Sequence, residues 1–167
     1  MNHIRRLIFP IAFATVFALV AHAQVGSSGN PANPGNLVIG KWNLNIAKSK
    51  FVPGPTPQSE RRTYENVPSG VKATIRTVYA DGHMSYSETV ADYDGAEHPV
   101  TGNPNVDVIK LNRVDDHTAE TTAMHAGTIV SMARRLISED GNTMTITYKG
   151  TLNSEPFNNV AVFDREK

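Results

Sequence analysis

Two arginines, Arg113 and Arg135, and three carboxylate or phenol groups, Glu88, Glu120 and Tyr148, are the side chains of this chain whose spacing could do chemistry. They lie in segments of alternating apolar and polar residues joined by short turns, and tight turns fix which residues face together. A two-residue loop at Asp140-Gly141 sets Ile137 against Met144, Arg135 against Ile146 and Ala133 against Tyr148. A second at Ala126-Gly127 adds Met124, Thr122, Glu120 and Thr118 to that face, and a third at Asp115-Asp116 adds Arg113, Leu111 and Ile109. The face so assembled is rich in Ile, Met and Leu and is taken as the interior. Buried charge must be paired or hydrogen-bonded. Glu120 is expected within reach of both arginines: either the charges are accounted for, in an internal Arg-Glu-Arg network or by arginines at the barrel ends reaching out to water, or two arginines exceed what one glutamate neutralises. In the second case the surplus guanidinium suits a carboxylate or other anionic head group. A hairpin at Asp81-Gly82 places Tyr86 and Glu88 on a matching apolar face, where Glu88 would be a general base or the partner of an arginine across the interior.

Other chemistries lack their residues. His117 and His125 share a strand face but stand about 27 Å apart at ~3.4 Å per residue, too far to hold one metal. No phosphate-cradling glycine loop, dinucleotide fingerprint or nucleophile elbow occurs. No metal and no cofactor is therefore expected. Glu97-His98, between Gly95 and Gly102, reads as an exposed loop pair.

The elements that must position these residues are strands. Segments 38–45, 59–67, 71–80, 83–93, 106–114, 117–125, 128–138, 142–149 and 157–165 are rich in Val, Ile, Thr, Tyr or Phe and bounded by turn residues. Only a turn or two around Ile46 to Phe51 favours helix, and Pro53-Gly54-Pro55-Thr56-Pro57 ends it. The fold class is all-β: a closed antiparallel meander barrel of about 8–10 strands, since closure removes the exposed edges of so long a sheet.

Gly40-Lys41-Trp42 resembles the G-x-W signature in the first strand of lipocalins and fatty-acid-binding proteins, and Val162-Phe163-Asp164-Arg165 resembles their last strand. The resemblance implies that Gly40, Trp42 and Arg165 are structural, with Arg165 closing over the indole. Gly40 to Phe51, Pro99 to Asn105, Ser138 to Thr151 and Asn158 to Arg165 are also similar to a group of small secreted bacterial proteins of lipocalin-like, calycin type. Fatty-acid-binding proteins place two helices after the first strand. The proline-rich stretch from Phe51 to Pro57 leaves no room for them, so neither that cap nor the fatty-acid carboxylate site is carried over.

The first residues read as a leader. Arg5 and Arg6 precede an uncharged apolar run from Leu7 to Val20, and Ala21-His22-Ala23 supplies small residues for cleavage before Gln24. The run falls short of the ~20 residues that span a bilayer. Residues 1–23 are thus a signal peptide, 24–36 a Gly/Ser/Asn/Pro tether and 37–167 one domain, periplasmic or secreted. There is no cysteine, hence no disulfide framework, and the apolar core alone must hold the fold. Losing Arg5 and Arg6 takes the basic residues from 16 to 14 against 16 acidic ones, a balance that does not suit nucleic acid as a partner. A small molecule is the expected partner, with no stable membrane anchor after cleavage.

Three functions fit: a binder of a small apolar or amphiphilic, possibly anionic, ligand through Arg113, Glu120, Arg135, Tyr148, Tyr86 and Glu88; an isomerase or lyase using an inward carboxylate with an arginine; or a packed barrel acting through its surface. The residues favour the binder over the enzyme. A cavity below about 300 Å³ favours the packed barrel. N-terminal sequencing of exported protein is expected to begin at Gln24; material beginning at Met1 would contradict the leader.

Overall fold

The structure, a computed structural model, describes residues 36–167 apart from Asn153. The expected leader and the tether up to residue 35 lie outside the described residues. Ten antiparallel strands follow in chain order: β1 Gly40–Leu44, β2 Ser59–Val67, β3 Gly70–Val78, β4 Met84–Ala91, β5 Asp94–Thr101, β6 Val108–Arg113, β7 Thr118–His125, β8 Thr128–Ile137, β9 Thr143–Leu152 and β10 Glu155–Arg165. Each pairs with the next, and β1 pairs with β10, so the sheet is a closed meander barrel. The helical signal after β1 amounts to one 3₁₀ turn, Ile46–Lys48, capped by the Asn45 side chain. The segment after it runs along β10. Lys50 and Val160 exchange backbone hydrogen bonds of 2.7 Å, which covers the part of β10 that the five-residue β1 cannot reach.

One end of the barrel is packed shut. Trp42, Phe163, Met144 and Val38 are fully buried there. The Trp42 indole donates to the Val38 carbonyl at 2.7 Å. The Arg165 guanidinium lies 4.1 Å from the centre of its ring. Arg165 also donates to the carbonyls of Ile39 and Gly141, each at 2.6 Å, and to that of Leu37. Burial lowers the pKa of this side chain, and the three carbonyl acceptors and the indole face offset that cost. Gly40 is required by this arrangement: its φ is +129°, and a Cβ there would sit 2.7 Å from an Arg165 nitrogen.

The expected register holds across β8–β9, where Ile137 pairs with Met144 and Ala133 with Tyr148. It fails by one residue on both sides of β7. Met124 pairs with Ile129 but Ala123 pairs with Ser131, so Val130 is an extra, bulged residue. The turn into β7 has three residues between Val114 and Thr118, because the Asp115 carboxylate accepts from the backbone N–H groups of His117 and Thr118 at 2.8 and 2.7 Å. The two shifts cancel, so β6 keeps its expected facing and β7 alone is reversed. Glu120 consequently points outward. The hairpin at Asp81-Gly82 is likewise a three-residue loop, with Tyr79 bonded to His83 and Val78 paired with Met84, which turns Tyr86 and Glu88 outward as well.

β5 was not among the nine expected strands. Its Gly95, His98 and Pro99 are poor strand formers, and the segment is held chiefly by its ladder to β6. Toward β4 only Glu88–Thr101 and Thr89–Val100 pair. The Val100 N–H donates to the carbonyl of Asp107, just before β6, so the nitrogen of Pro99, one residue earlier, faces β4 with no hydrogen to give.

The β8 bulge depends on the strand beside it. A Cβ at Gly150 on β9 would lie 2.1 Å from the Val130 carbonyl oxygen and 2.8 Å from Ser131 Cα, both backbone atoms that cannot swing aside. Gly150→Ala is expected to lower stability by roughly 1–3 kcal/mol, an overpacking cost, read as a lower urea midpoint. A midpoint unchanged from wild type would contradict this close approach.

Candidate functional site

Inside the barrel, above the packed end, lies a cavity of about 220 Å³. Its apolar wall comes from alternate residues of β3, β6 and β9, including Val71, Ile75, Ile109, Leu111 and Ile146. Polar side chains enter it from β2, β8, β9 and the β4–β5 turn.

β2 carries Glu60, Arg62 and Tyr64 at a period of two, and Arg62 pairs directly with Trp42, which fixes all three as inward. Arg62 Nε donates to Glu60 Oε1 at 2.6 Å, with both side chains less than 15% exposed. Thr77 donates to the other Glu60 oxygen at 3.3 Å. Burial opposes the Arg62 charge, but Glu60, Tyr148 and Tyr64 outweigh it and hold its pKa well above the ordinary arginine value. This ion pair is internally neutral. Its guanidinium also covers the Phe163 ring at 5.0 Å and the Tyr148 ring at 5.8 Å.

The other two inward guanidiniums gather on Tyr93. Arg113 lies 4.5 Å from its ring centre and Arg135 lies 5.7 Å away. Arg135 Nη2 donates to the Tyr93 hydroxyl at 2.6 Å. That hydroxyl also meets the Asn36 side-chain amide, at 3.2 Å from its nitrogen and 3.3 Å from its oxygen, so Asn36, read from composition as tether, is buried in the barrel floor. Arg113 reaches Asp116 at 3.7 Å, at the solvent-facing rim. Among the described residues no carboxylate lies within 4.0 Å of Arg135, and its Nε is buried without a hydrogen-bond partner. The Tyr148 hydroxyl is buried beside the Arg62 guanidinium, with no hydrogen bond of ordinary geometry among the described residues. Burial pushes its pKa far up, so it stays protonated and keeps a proton to donate.

Of the residues expected to bind ligand, Arg113, Arg135 and Tyr148 are therefore brought together inside. The other three are corrected by the register. Glu120 is exposed and paired with Arg134 at 2.7 Å on the outer face. Glu88 accepts from the Tyr86 hydroxyl at 2.7 Å and pairs with Lys72 at 3.0 Å. Those contacts, Tyr86 first, lower the Glu88 pKa, the opposite of what a general base needs. Tyr86 itself is 46% exposed. Glu88 borders the cavity, but its carboxylate is taken by Tyr86 and Lys72, and Glu120 lies outside, so neither is placed for the acid–base work proposed for it. The interior residues not anticipated are Glu60, Arg62, Tyr64 and Tyr93. The first three were signalled by their alternation, once Trp42 fixes the inward side of β1.

No family model and no curated protein matches the chain. Among solved structures, zebrafish ileal bile acid-binding protein complexed with cholic acid aligns with a TM-score of 0.45 at 9% identity, over 78% of this chain and 99% of that one. So remote a likeness carries no argument about ligand, and the barrel assignment rests on the strand ladders themselves.

Because burial desolvates the Tyr148 hydroxyl and no hydrogen bond of ordinary geometry among the described residues offsets that cost, Tyr148→Phe is expected to raise stability by about 1 kcal/mol. Urea denaturation checks this; a loss of stability would mean that the hydroxyl is satisfied in the folded state.

Proposed function

We propose that this protein is an exported, lipocalin-like carrier that binds a small acid with an apolar body inside its barrel. The observation that carries the reading is Arg135: an inward guanidinium on the cavity wall, held by Tyr93, with no carboxylate partner among the described residues and one buried N–H unspent. A ligand carboxylate would take that donor and, through its second oxygen or a neighbouring acceptor, the Tyr148 hydroxyl. Such charge-assisted bonds contribute about 1.5–3 kcal/mol each. Export rests on the leader-like N-terminus, and the family reading on Gly40, Trp42 and Arg165. The barrel has ten strands where lipocalins have eight.

The cavity sets the ligand's size. At about 220 Å³ it falls below the ~300 Å³ at which pockets for drug-sized molecules begin. The ligand is a single-ring or short-chain acid, not a long fatty acid or a sterol. The same volume favours a second reading, a barrel filled by its own arginines and tyrosines that acts through its surface.

Benzoate and benzamide, of one shape and different charge, separate these. By calorimetry, wild type is expected to bind benzoate, and Arg135→Met to weaken it by about tenfold or more while leaving benzamide nearly unchanged. Equal losses for both would make Arg135 structural, and no binding of either would favour the packed barrel.

A further inference from the structure

The outer face of β1–β4 holds a second, separate concavity of about 390 Å³. Lys41, Arg61 and Arg76 point into it from three strands, with Thr63, Thr74 and Tyr86 between them. The ladder explains the convergence. Lys41 stands opposite Thr63, Thr63 opposite Thr74, and Arg61 directly opposite Arg76. Like charges facing each other across a ladder destabilise a sheet, and here only one of the two is neutralised. Arg61 is held by both Glu166 oxygens, at 2.8 and 2.5 Å. Arg76 lies over the Tyr86 ring at 5.3 Å, and neither it nor Lys41 has a carboxylate within 4.0 Å among the described residues. Glu65 also lines the hollow, but opposite Lys72 and away from the Arg61–Arg76 end.

The geometry points to a binding site for a phosphate group in this hollow. Two cations without carboxylate partners, a third beside them and two threonine hydroxyls from adjacent strands offer donors from several directions. That suits a tetrahedral oxyanion with several acceptor oxygens better than a planar carboxylate. An anion there also relieves the Arg61–Arg76 repulsion. The site lies on the opposite side of the sheet from the cavity and does not rest on the ligand proposed for it. The phosphate belongs either to a soluble molecule or to a lipid head group.

The test follows backbone amide signals of the labelled protein during titration with inorganic phosphate at constant ionic strength. Saturable shifts are expected at Thr63 and Thr74. Lys41→Gln and Arg76→Gln should each weaken the response by about tenfold, and Arg76→Lys should retain most of it. Co-sedimentation with phosphatidylglycerol vesicles, but not phosphatidylcholine vesicles, that is lost in Lys41→Gln assigns the phosphate to a lipid. Shifts with inorganic phosphate and no co-sedimentation assign it to a soluble molecule. No response in either arm, equal shifts from chloride, or a response unchanged by both glutamine variants would overturn the site.

Discussion

The Arg165 guanidinium ties together parts of the chain that are far apart in sequence. Through three carbonyls and one indole it joins the segment entering β1, β1 itself, the β8–β9 turn and the end of β10. The first and last strands of a meander are the farthest apart in sequence, and their pairing here is short: three residues of β1 against three of β10. So short a ladder closes a ten-stranded barrel because the groups above and below it are locked by side chains. The fully buried layer of Trp42, Phe163, Met144 and Val38 then forms a floor, and everything beyond the floor is free to be a cavity.

That division accounts for the placement of charge. Among the described residues, the inward carboxylate of Glu60 is taken by Arg62, Arg113 reaches Asp116, and Arg135 has no carboxylate within 4.0 Å. Aromatic rings do much of the remaining work: Tyr93, Tyr64, Tyr148 and Phe163 each lie against at least one guanidinium, and ring faces accept cations without bringing in a neutralising charge. Rings and hydroxyls let the barrel tolerate positive charge inside without cancelling it. Under the proposed function, an anion entering the cavity would meet the Arg135 guanidinium, held by the Tyr93 hydroxyl and ring faces rather than by a carboxylate.

How much of this was legible in the chain follows from what register depends on. Whereas the structural trio of Gly40, Trp42 and Arg165 followed from the resemblance of the first and last strands to those of lipocalins, closure and the inward facing of Arg113, Arg135 and Tyr148 could be read from local patterns. Glu120, Tyr86 and Glu88 could not. Each lies beyond a three-residue loop or a bulge, and a single added residue reverses a whole strand. The Asp side chains that lengthen the turns at Asp81 and Asp115 do so by accepting backbone hydrogen bonds, which the dipeptides Asp-Gly and Asp-Asp do not distinguish from a two-residue turn. The Val130 bulge had one faint signal, Gly150, whose missing Cβ makes room for it in the neighbouring strand. The inward facing of Arg62 follows from its pairing with Trp42 across β1–β2, a register set by no tight hairpin because residues 45–58 separate the two strands.

The central claim is that the cavity offers an acid uncompensated positive charge, and the ionisation of a bound acid reports that directly. With carboxyl-labelled benzoate held in the barrel, its pKa can be followed by the carbon resonance as pH is lowered. Burial alone would raise that pKa, whereas a guanidinium within bonding distance lowers it by about 1–3 units. A bound value at least about one unit below that of free benzoate is the expected result. A bound value equal to or above the free one would mean that the arginines are spent within the protein, and would contradict the account.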